Sequence, residues 1–520
     1  MSLPALPDLV RLSRDRHALI KTSLGIVAAA AVLALALSWL APAGHGLTGL
    51  YRPPAPGGTE DLVSLVRFGL PAAETGDLSC FDLAGELRFH PFAEEIEAGI
   101  EDLDGTPEAE LLGTWWTGLM VKDRTEVIRL LETLEVSLPH RNEALGDLRH
   151  LAGDNGGALE AYLEEAKRFP GAVYARRSAL ALARFEEDGG RLRAMLADAA
   201  FRAPLPAAAL VPFQAWVRDH GGLVRSIMLA QLDLLRSAYV IPAILTAAIW
   251  VAILLSFRAD GGRFAGIAGV AFLLGIASTV PILYLATVQE EMRGFRFRPE
   301  DAPHTQFLYF LAGVSLREEG LKLLFFAPLL PFLNRRGEDL AVLLLAGFTG
   351  LGFAFQENLA YFRSDASSYT AWLRLLTANA LHFSLTGIAG YALWRLVRSK
   401  LHGLDSFAVS FLGVVLAHGL YNSLLGLPAL AEYGVLAPFL VAVIAYRYFD
   451  PLREHLEIAG LHRRASPLGI FVIGSALLAS TILVSSAATM PLRFAMGAFV
   501  STLGSMIPLA FAYISRFRDL

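Results

Sequence analysis

Cysteine is almost absent from this chain of 520 residues, which contains only Cys80. A single cysteine excludes an intramolecular disulfide framework and the zinc sites that are built from pairs of cysteines. The His-Glu-x-x-His stretch of helical zinc peptidases is missing as well. The sequence therefore argues against redox chemistry and offers no compact metal-binding motif.

Charged residues are also scarce. They make up 18% of the chain, against 54% hydrophobic residues, and the mean hydropathy is +0.49. This composition is too apolar for a soluble protein of this length. The formal net charge of -5 provides no basic field for nucleic acid. We therefore expect membrane lipid to surround much of the chain and expect no nucleic-acid partner.

Apolar stretches of about 20 residues, the length that crosses a bilayer core, recur along the chain. We predict an all-α, polytopic helical membrane bundle of about ten transmembrane helices with a helical soluble extracytoplasmic insert. The predicted spans lie at 20-41, 236-257, 264-287, 306-333, 339-362, 372-397, 405-426, 430-446, 467-487 and 490-513. Basic residues fall in every second connection, and the 288-305 loop is the exception, because its Arg293, Arg296 and Arg298 would lie outside. The charge rule then predicts an integral cell (inner) membrane protein with both termini cytoplasmic.

The first segment, 1-41, is predicted to be a cytoplasmic N-terminus followed by an uncleaved anchor. The alternative is a signal peptide cleaved near Ala41-Pro42-Ala43. Its apolar stretch of about 20 residues is longer than a usual signal core, which favours the anchor.

Residues 42-235 have an ordinary soluble composition and are predicted to form an extracytoplasmic domain. Near 139-206 the sequence repeats with a period of about 34 residues, which is typical of tetratricopeptide units. Gly146, Tyr162 and Pro170 mark the first unit, and Leu180 and Pro204 occupy matching positions in the second. We therefore expect a tetratricopeptide-like module that binds a protein partner.

Four consecutive predicted spans carry charged or polar side chains that lipid penalises. A central Asp, Lys or Arg costs about 2.5–3.5 kcal/mol on insertion scales, so each residue requires a reason. The candidate site residues are Glu318, Glu319, Lys322, Glu357, His382, His418 and Asn422. Counting the helical rise from the predicted outer end of each span places them in one layer in the outer half of the membrane. Gly347, Gly350 and Gly352, in contrast, are expected to permit close helix packing.

The spacing of these residues suits water activation. Glu318 and Lys322 are four positions apart and share a helix face, whereas Glu319 is left for another helix or for an alternative pairing with Lys322. Burial raises the pKa of a carboxyl group, and a nearby ammonium lowers it. The two opposing effects can leave a carboxylate that acts as a general base near neutral pH. His418 and Asn422 also share a face and can donate hydrogen bonds to an oxyanion.

Glu357 or His382 could share the water or shuttle its proton.

Four motifs in this region resemble those of the PrsW intramembrane proteases, a family related to the CAAX-processing type II prenyl proteases. They are Glu318-Glu319-x-x-Lys322, Phe353-x-x-x-Glu357, His382 and His418-x-x-x-Asn422, and the resemblance covers roughly 306-426. It implies that 236-520 is an intramembrane protease domain acting on membrane-anchored proteins, of which an anti-sigma factor is a known type. It also implies Glu318 or Glu319 as the base, helped by Glu357, with His418 and Asn422 stabilising the oxyanion.

The metal requirement is a separate question. PrsW-like proteins have been called metalloproteases, and glutamates and histidines could hold zinc with an open position for water. The ligands would then be Glu319, Glu357, His382 and His418. The related prenyl proteases are better described as glutamate-dependent, so we expect no cofactor and keep zinc as the alternative.

An ion- or proton-coupled transporter is the alternative function, because buried carboxylates and histidines also form proton relays. Transporters commonly contain two repeated halves, whereas these motifs occupy one contiguous block. The sequence therefore favours an intramembrane endopeptidase that cleaves a single-span membrane protein near the extracytoplasmic side.

Overall fold

The computed structural model describes residues 15–40, 59–67, 93–237, 239–258, 262–336, 339–364, 368–459, 466–489 and 492–519. Every regular element in these ranges is a helix, as the sequence predicts. The chain divides into a membrane unit, Met1–His45 with Gln231–Leu520, and an insert unit, Gly46–Ala230. Cys80 and the Ala41-Pro42-Ala43 sequence lie outside the described residues.

The insert unit is built from short helices. They are α2 (Thr59–Val66), α3 (Ala93–Asp102), α4 (Pro107–Met120), α5 (Thr125–Thr133), α6 (Arg141–Leu151), α7 (Asn155–Arg168), α8 (Val173–Phe185), α9 (Gly189–Ala197), α10 (Ala199–Arg202) and α11 (Ala207–Trp216), after α1 (Arg16–Leu40) of the membrane unit. One apolar core joins α2 to α6, and a second lies between α7 and α11. The next helix, α12 (His220–Leu235), crosses the boundary between the two units in the chain.

Helices α6 to α9 form two consecutive helical pairs. An aspartate caps the second helix of each pair, since Asp154 accepts from the Gly157 amide and Asp188 from the Arg191 amide, both at 2.9 Å. A β-carbon added to Gly146 would lie 2.4 Å from the Tyr162 ring, so the first pair packs at a small residue. The prediction that these pairs are tetratricopeptide-like remains a prediction.

The rest of the membrane unit contains long helices with several short ones between them. They are α13 (Val240–Ser256), α14 (Gly262–Thr287), α15 (Pro303–Leu308), α16 (Leu316–Phe326), α17 (Leu330–Arg336), α18 (Asp339–Ser364), α19 (Ser368–Leu376), α20 (Ala378–Arg398), α21 (Leu404–Gly426), α22 (Leu436–Ala459), α23 (Pro467–Thr489) and α24 (Leu492–Asp519). π-Helical turns follow α14 (Val288–Met292) and precede α16 (Tyr309–Ser315). Short 3-10 turns lie at Ala327–Leu329 and Pro428–Tyr433.

Five helices in the described part of the chain are long and apolar enough to cross a membrane. They lie at Arg16–Ala36, Arg263–Met292, Asp339–Arg363, Leu404–Gly426 and Pro467–Val484. A sixth is added if α12 and α13, which are bent by 83°, count as one span. The predicted spans 306-333, 372-397, 430-446 and 490-513 do not meet this criterion. The first of them carries four charged residues and changes helix type, and the second is divided between α19 and α20.

Glycines let α18 pack closely against helices on two sides. A β-carbon added to Gly350 would lie 2.2 Å from the carbonyl oxygen of His382 in α20, and one added to Gly352 would lie 1.9 Å from that of Phe272 in α14. This confirms the prediction that these glycines permit close packing. On another part of α20, Phe383 packs 4.8 Å, between ring centroids, from Trp250 in the apolar core. The backbone of His382 is therefore held firmly between α18 and the core.

Candidate functional site

The structure brings six of the seven predicted site residues together in the membrane unit. Glu318, Glu319 and Lys322 come from α16, and single residues come from three other helices: Glu357 from α18, His382 from α20 and His418 from α21. Glu319 and Lys322 are fully buried, and His382 and His418 are each 2% exposed. Such burial is found for charged groups only when they have partners.

The π-helical turn Tyr309–Ser315 leads directly into α16. The Ser315 hydroxyl donates to the Phe310 carbonyl at 2.8 Å, within this turn. A π turn inserts an extra residue into a helix and is frequent at functional sites. Here it precedes a helix whose buried face carries Glu318, Glu319 and Lys322 and whose residue Leu316 is exposed.

Lys322 lies at the centre of the cluster. Its ammonium nitrogen is 2.8 Å from Oε1 of Glu319, 3.3 Å from Oε2 of Glu318 and 3.0 Å from Nδ1 of His382. It also lies 3.8 Å from the centroid of the Phe353 ring, a cation–π distance. The pairings of Lys322 with Glu318 and with Glu319, which the sequence offers as alternatives, are both present.

The two adjacent glutamates differ in their surroundings. Oε1 of Glu319 accepts from Nδ1 of His418 at 2.9 Å, and Oε2 accepts from the Thr386 hydroxyl at 3.2 Å. The Glu318 side chain is 10% exposed, and its only hydrogen bond among the described residues is with Lys322. Oε2 of Glu318 also lies 3.9 Å from Nε2 of His418. Glu319 is thus tied to three helices, whereas Glu318 keeps acceptor capacity for a further molecule.

Glu357 joins the cluster through His382 and through an arginine that the sequence analysis did not single out. Its Oε2 lies 2.9 Å from Nε2 of His382 and accepts from Arg374 of α19 at 2.6 Å. Arg374 also hydrogen-bonds Asn358. Its charge inside the predicted span 372-397 was a signal that could have identified it, because lipid penalises an arginine as it does a glutamate.

Asn422 is the seventh predicted residue. It lies on α21 one helical turn after His418 and is half-buried. Its side chain has no hydrogen bond to another residue in the described part of the chain. Its predicted role at the oxyanion therefore stays a prediction.

The cluster has the composition of a metal site. Glu318, Glu319, His382 and His418 each offer one ligand atom, and these atoms all lie within 4.8 Å of one another. Carboxylates and imidazoles are ligands that zinc accepts, so by composition and proximity alone this group could bind a metal such as zinc. Glu357, predicted as a ligand in the zinc alternative, instead pairs with Arg374.

Membrane-length helices around a buried group of carboxylates, imidazoles and one ammonium define an integral membrane protein with a polar site inside its helical bundle. Residues 265–448 match the family model described as PrsW family intramembrane metalloprotease. The chain thus contains a PrsW-family domain, and all seven predicted site residues lie within it. Searches of curated proteins and of solved structures found no match.

A second group of acceptors, His140, Glu143 and Glu165, lies in the insert unit. Glu165 accepts the backbone amides of His140 and Asn142 at 2.6 and 3.2 Å. Glu143 accepts from His140 and pairs with Arg67. The carboxylates are therefore occupied by donors of the protein itself, and we assign this group a structural role.

Asp147 extends this network into the core between α6 and α8. It is 2% exposed and accepts from the hydroxyls of Tyr162 and Tyr174 at 2.6 and 2.8 Å. Burial raises the pKa of Asp147 to about 7, although the two tyrosine hydroxyls and Arg67 favour the ionised form. The ionisation of this carboxyl therefore falls near neutral pH.

Proposed function

We propose that this protein is an intramembrane endopeptidase that cleaves membrane-anchored proteins with a water molecule activated by Glu318. The observation that supports this most strongly is the pair formed by Oε2 of Glu318 and Nε2 of His418, 3.9 Å apart inside a buried cluster of the PrsW-family domain. Two acceptors at this separation can each receive one proton of a single water molecule. The oxygen lone pair of that water is then free to attack a carbonyl carbon.

Hydrogen bonding assigns a role to each member of this pair. An ionised Glu319 only accepts, so Nδ1 of His418 carries the proton of their bond. In the neutral imidazole, Nε2 then keeps its lone pair. Glu318 takes a proton from the water as the new carbon–oxygen bond forms at the scissile carbonyl. It then gives this proton to the leaving amide nitrogen as the carbon–nitrogen bond breaks. Glu319 orients His418 and neutralises Lys322.

Stabilisation of the oxyanion falls to Asn422 in this proposal. Neutral His418, with its proton on Nδ1, cannot donate from Nε2, which differs from the donor role that the sequence suggested. The amide of Asn422 has two donors, lies one turn along the same helix and is engaged by no side chain of the described residues. Such a donor accounts for about 10²–10³-fold in rate.

The third carboxylate, Glu357, acts through positioning. Arg374 holds it on one side, and it holds Nε2 of His382 on the other. His382 in turn meets Lys322 through Nδ1. This series of hydrogen bonds positions the ammonium beside Glu318 and Glu319. Glu357 therefore does not need to contact the substrate.

We also propose that the substrate is a single-span membrane protein, such as an anti-sigma factor. The cleavage point would lie near the extracytoplasmic side. Residues 139-206 would be a tetratricopeptide-like module that binds this substrate or a protein partner. The two capped helical pairs and the small-residue contact at Gly146 support this assignment. An in-frame deletion of 139-206 should reduce cleavage of a full-length substrate while leaving hydrolysis of a short peptide unchanged.

We further propose about ten membrane spans with both termini cytoplasmic. Helices α16 and α20 fall short of the length-and-hydropathy criterion, yet they pack against α18, which meets it. Because the chain contains a single cysteine, replacement of Cys80 allows one new cysteine at a time to be placed in each connection. Labelling by a membrane-impermeant thiol reagent from both sides then tests every predicted orientation.

The test of the protease proposal is coexpression with a tagged single-span substrate. Glu318→Gln and His418→Ala should both abolish a cleavage that the wild type performs. The matched control is Asp339→Asn, another carboxylate of the membrane unit, which bonds Tyr391 and Arg398 outside the cluster. Normal processing by both site variants would overturn the mechanism, and a proton-coupled flux that both variants abolish would favour the transporter.

A further inference from the structure

We propose that Lys322 is the resident cation of the Glu318–Glu319–His382–His418 group and that the enzyme works without a divalent metal ion. The inference rests on the proposed protease function and differs from the metalloprotease description of the matching family. It is carried by the position of the lysine ammonium relative to the four candidate ligands.

The ammonium has the surroundings of a bound cation. A lysine ammonium has three donors, and three acceptors surround this one at 2.8, 3.0 and 3.3 Å, from Glu319, His382 and Glu318. The face of the Phe353 ring lies on a further side, with its centroid 3.8 Å away. Lys322 is fully buried, so water does not compete for these contacts. Three of the four candidate metal ligands therefore already share one positive charge.

His382 has no lone pair left for a metal in this arrangement. The ammonium only donates, so Nδ1 of His382 must be the accepting nitrogen in their contact. Nε2 then carries the ring proton and donates it to Glu357 at 2.9 Å. Binding a metal through Nδ1 would require the ammonium to leave, and binding through Nε2 would require Glu357 to lose its hydrogen bond.

Few ligand atoms remain open for a zinc ion. Oε1 of Glu319 is shared between Lys322 and His418, and Oε2 accepts from Thr386. Glu318 and Nε2 of His418 keep open positions, but catalytic zinc sites use three protein ligands, so a zinc ion would also need Oε2 of Glu319, which keeps one lone pair beside its bond from Thr386. A dication at these atoms would also face the lysine charge, and this repulsion is strong in a buried site. As arranged, the residues do not fit a metal ion.

The inference gives Lys322 a role that differs from that of a general base. Its charge replaces the metal charge that would otherwise keep the adjacent carboxylates ionised and fixed in orientation. Truncation of Lys322 to alanine removes the ammonium and also opens the space that it fills. This change should therefore convert the cluster into a metal site, because it frees Nδ1 of His382 and both carboxylates together.

The experiment measures metal binding by the purified full-length chain in lipid nanodiscs. Zinc content is determined after purification without chelator, and added Co²⁺ is followed by its visible absorption and by titration calorimetry. The wild type should hold well below one zinc per chain and bind no Co²⁺ at the cluster. Lys322→Ala should bind one Co²⁺ per chain, and Lys322→Ala combined with His418→Ala should lose it.

Lys322→Met is the matched control, because a side chain of similar length fills the same space without charge. It should bind no Co²⁺. Stoichiometric zinc in the wild type that disappears in His418→Ala would overturn the inference, as would a folded Lys322→Ala that gains no metal. If Lys322→Ala fails to fold, the zinc content of the wild type decides alone.

The same measurements separate this inference from the proposed function. A metal-free wild type that cleaves no membrane-anchored substrate would contradict the protease but not the resident cation. A zinc-loaded wild type that does cleave would contradict the resident cation but not the protease.

Discussion

Replacing each of the two adjacent glutamates by glutamine should separate catalysis from stability. Glu319→Gln removes the negative charge that Lys322 and His418 share in a fully buried position. Glu318→Gln removes a charge that is 10% exposed and 3.3 Å from the same ammonium. We expect the first variant to lose stability and activity, and the second to lose activity alone.

The expected magnitudes follow from these contacts. Removing one partner of a buried ion pair costs about 3–5 kcal/mol, because the other charge is left uncompensated. In Glu318→Gln the amide oxygen of the new side chain could keep a hydrogen bond to Lys322, so this variant should lose only about 1 kcal/mol of stability. Loss of a general base should lower the cleavage rate about 10²–10⁴-fold.

Both quantities can be measured on the purified full-length chain. Unfolding by denaturant in mixed micelles gives the difference in stability, and single-turnover cleavage of a tagged substrate gives the rate. A Glu319→Gln protein as stable as the wild type would show that this carboxylate does not hold Lys322. A Glu318→Gln protein with the wild-type rate would remove Glu318 from the mechanism.

Three further predictions concern positioning, packing and pH. Arg374→Met should lower the cleavage rate about 100-fold because Glu357 loses its fixed place, and Arg374→Lys should recover part of this loss in the same assay. Gly350→Ala should destabilise the membrane unit by about 1–3 kcal/mol in thermal unfolding, since α18 and α20 must separate. The pKa of Asp147 in the folded state, about 7, lies above the ordinary value of 3.8, so the insert unit loses stability as pH rises from the ordinary pKa toward 7. Asp147→Asn should weaken this dependence and stabilise the unit above that pH, by at most about 4 kcal/mol in pulse proteolysis.

Each of these changes has a control elsewhere in the chain. Arg363→Met removes an exposed arginine, Gly269→Ala adds a β-carbon with no atom within 4 Å, and Glu160→Gln neutralises an exposed carboxylate of the insert unit. All three should behave like the wild type. Wild-type cleavage by Arg374→Met, unaltered melting of Gly350→Ala, or an unchanged pH profile of Asp147→Asn would each contradict the corresponding contact.

The site residues could be found in the sequence because charged side chains are costly in lipid and therefore rare in membrane spans. Glu318, Lys322 and His418 stand out in stretches that are otherwise apolar, and only a buried polar site explains several of them on consecutive helices. Helical spacing also predicts that Lys322 can reach either glutamate. These local rules were sufficient for the helical class and the composition of the cluster, and the resemblance to the PrsW family came from the motifs themselves.

These local rules could not predict contacts between helices that are far apart in the sequence. Arg374 meets Glu357 from another helix, and Thr386 meets Glu319 across 67 positions of the chain. The π turn before α16 leaves no hydropathy signal, because it changes the hydrogen-bond register and not the composition. The predicted number of spans, about ten, also exceeds the five or six helices that meet the membrane criterion in the described residues. Charged site helices such as α16 fail a criterion that is based on hydropathy.

The arrangement around Lys322 also determines the electrical balance of the proposed reaction. With both imidazoles neutral, Glu318, Glu319 and Glu357 outnumber Lys322 and Arg374 by one negative charge. When Glu318 takes the proton of the water, this charge moves to the oxyanion and the total stays constant. Carrying a hydroxide ion into a low-dielectric bundle would be costly, whereas shifting a charge that is already held there by a few ångströms is not. The folded protein thus already holds, before substrate binds, the one negative charge that a hydroxide ion would otherwise have to bring.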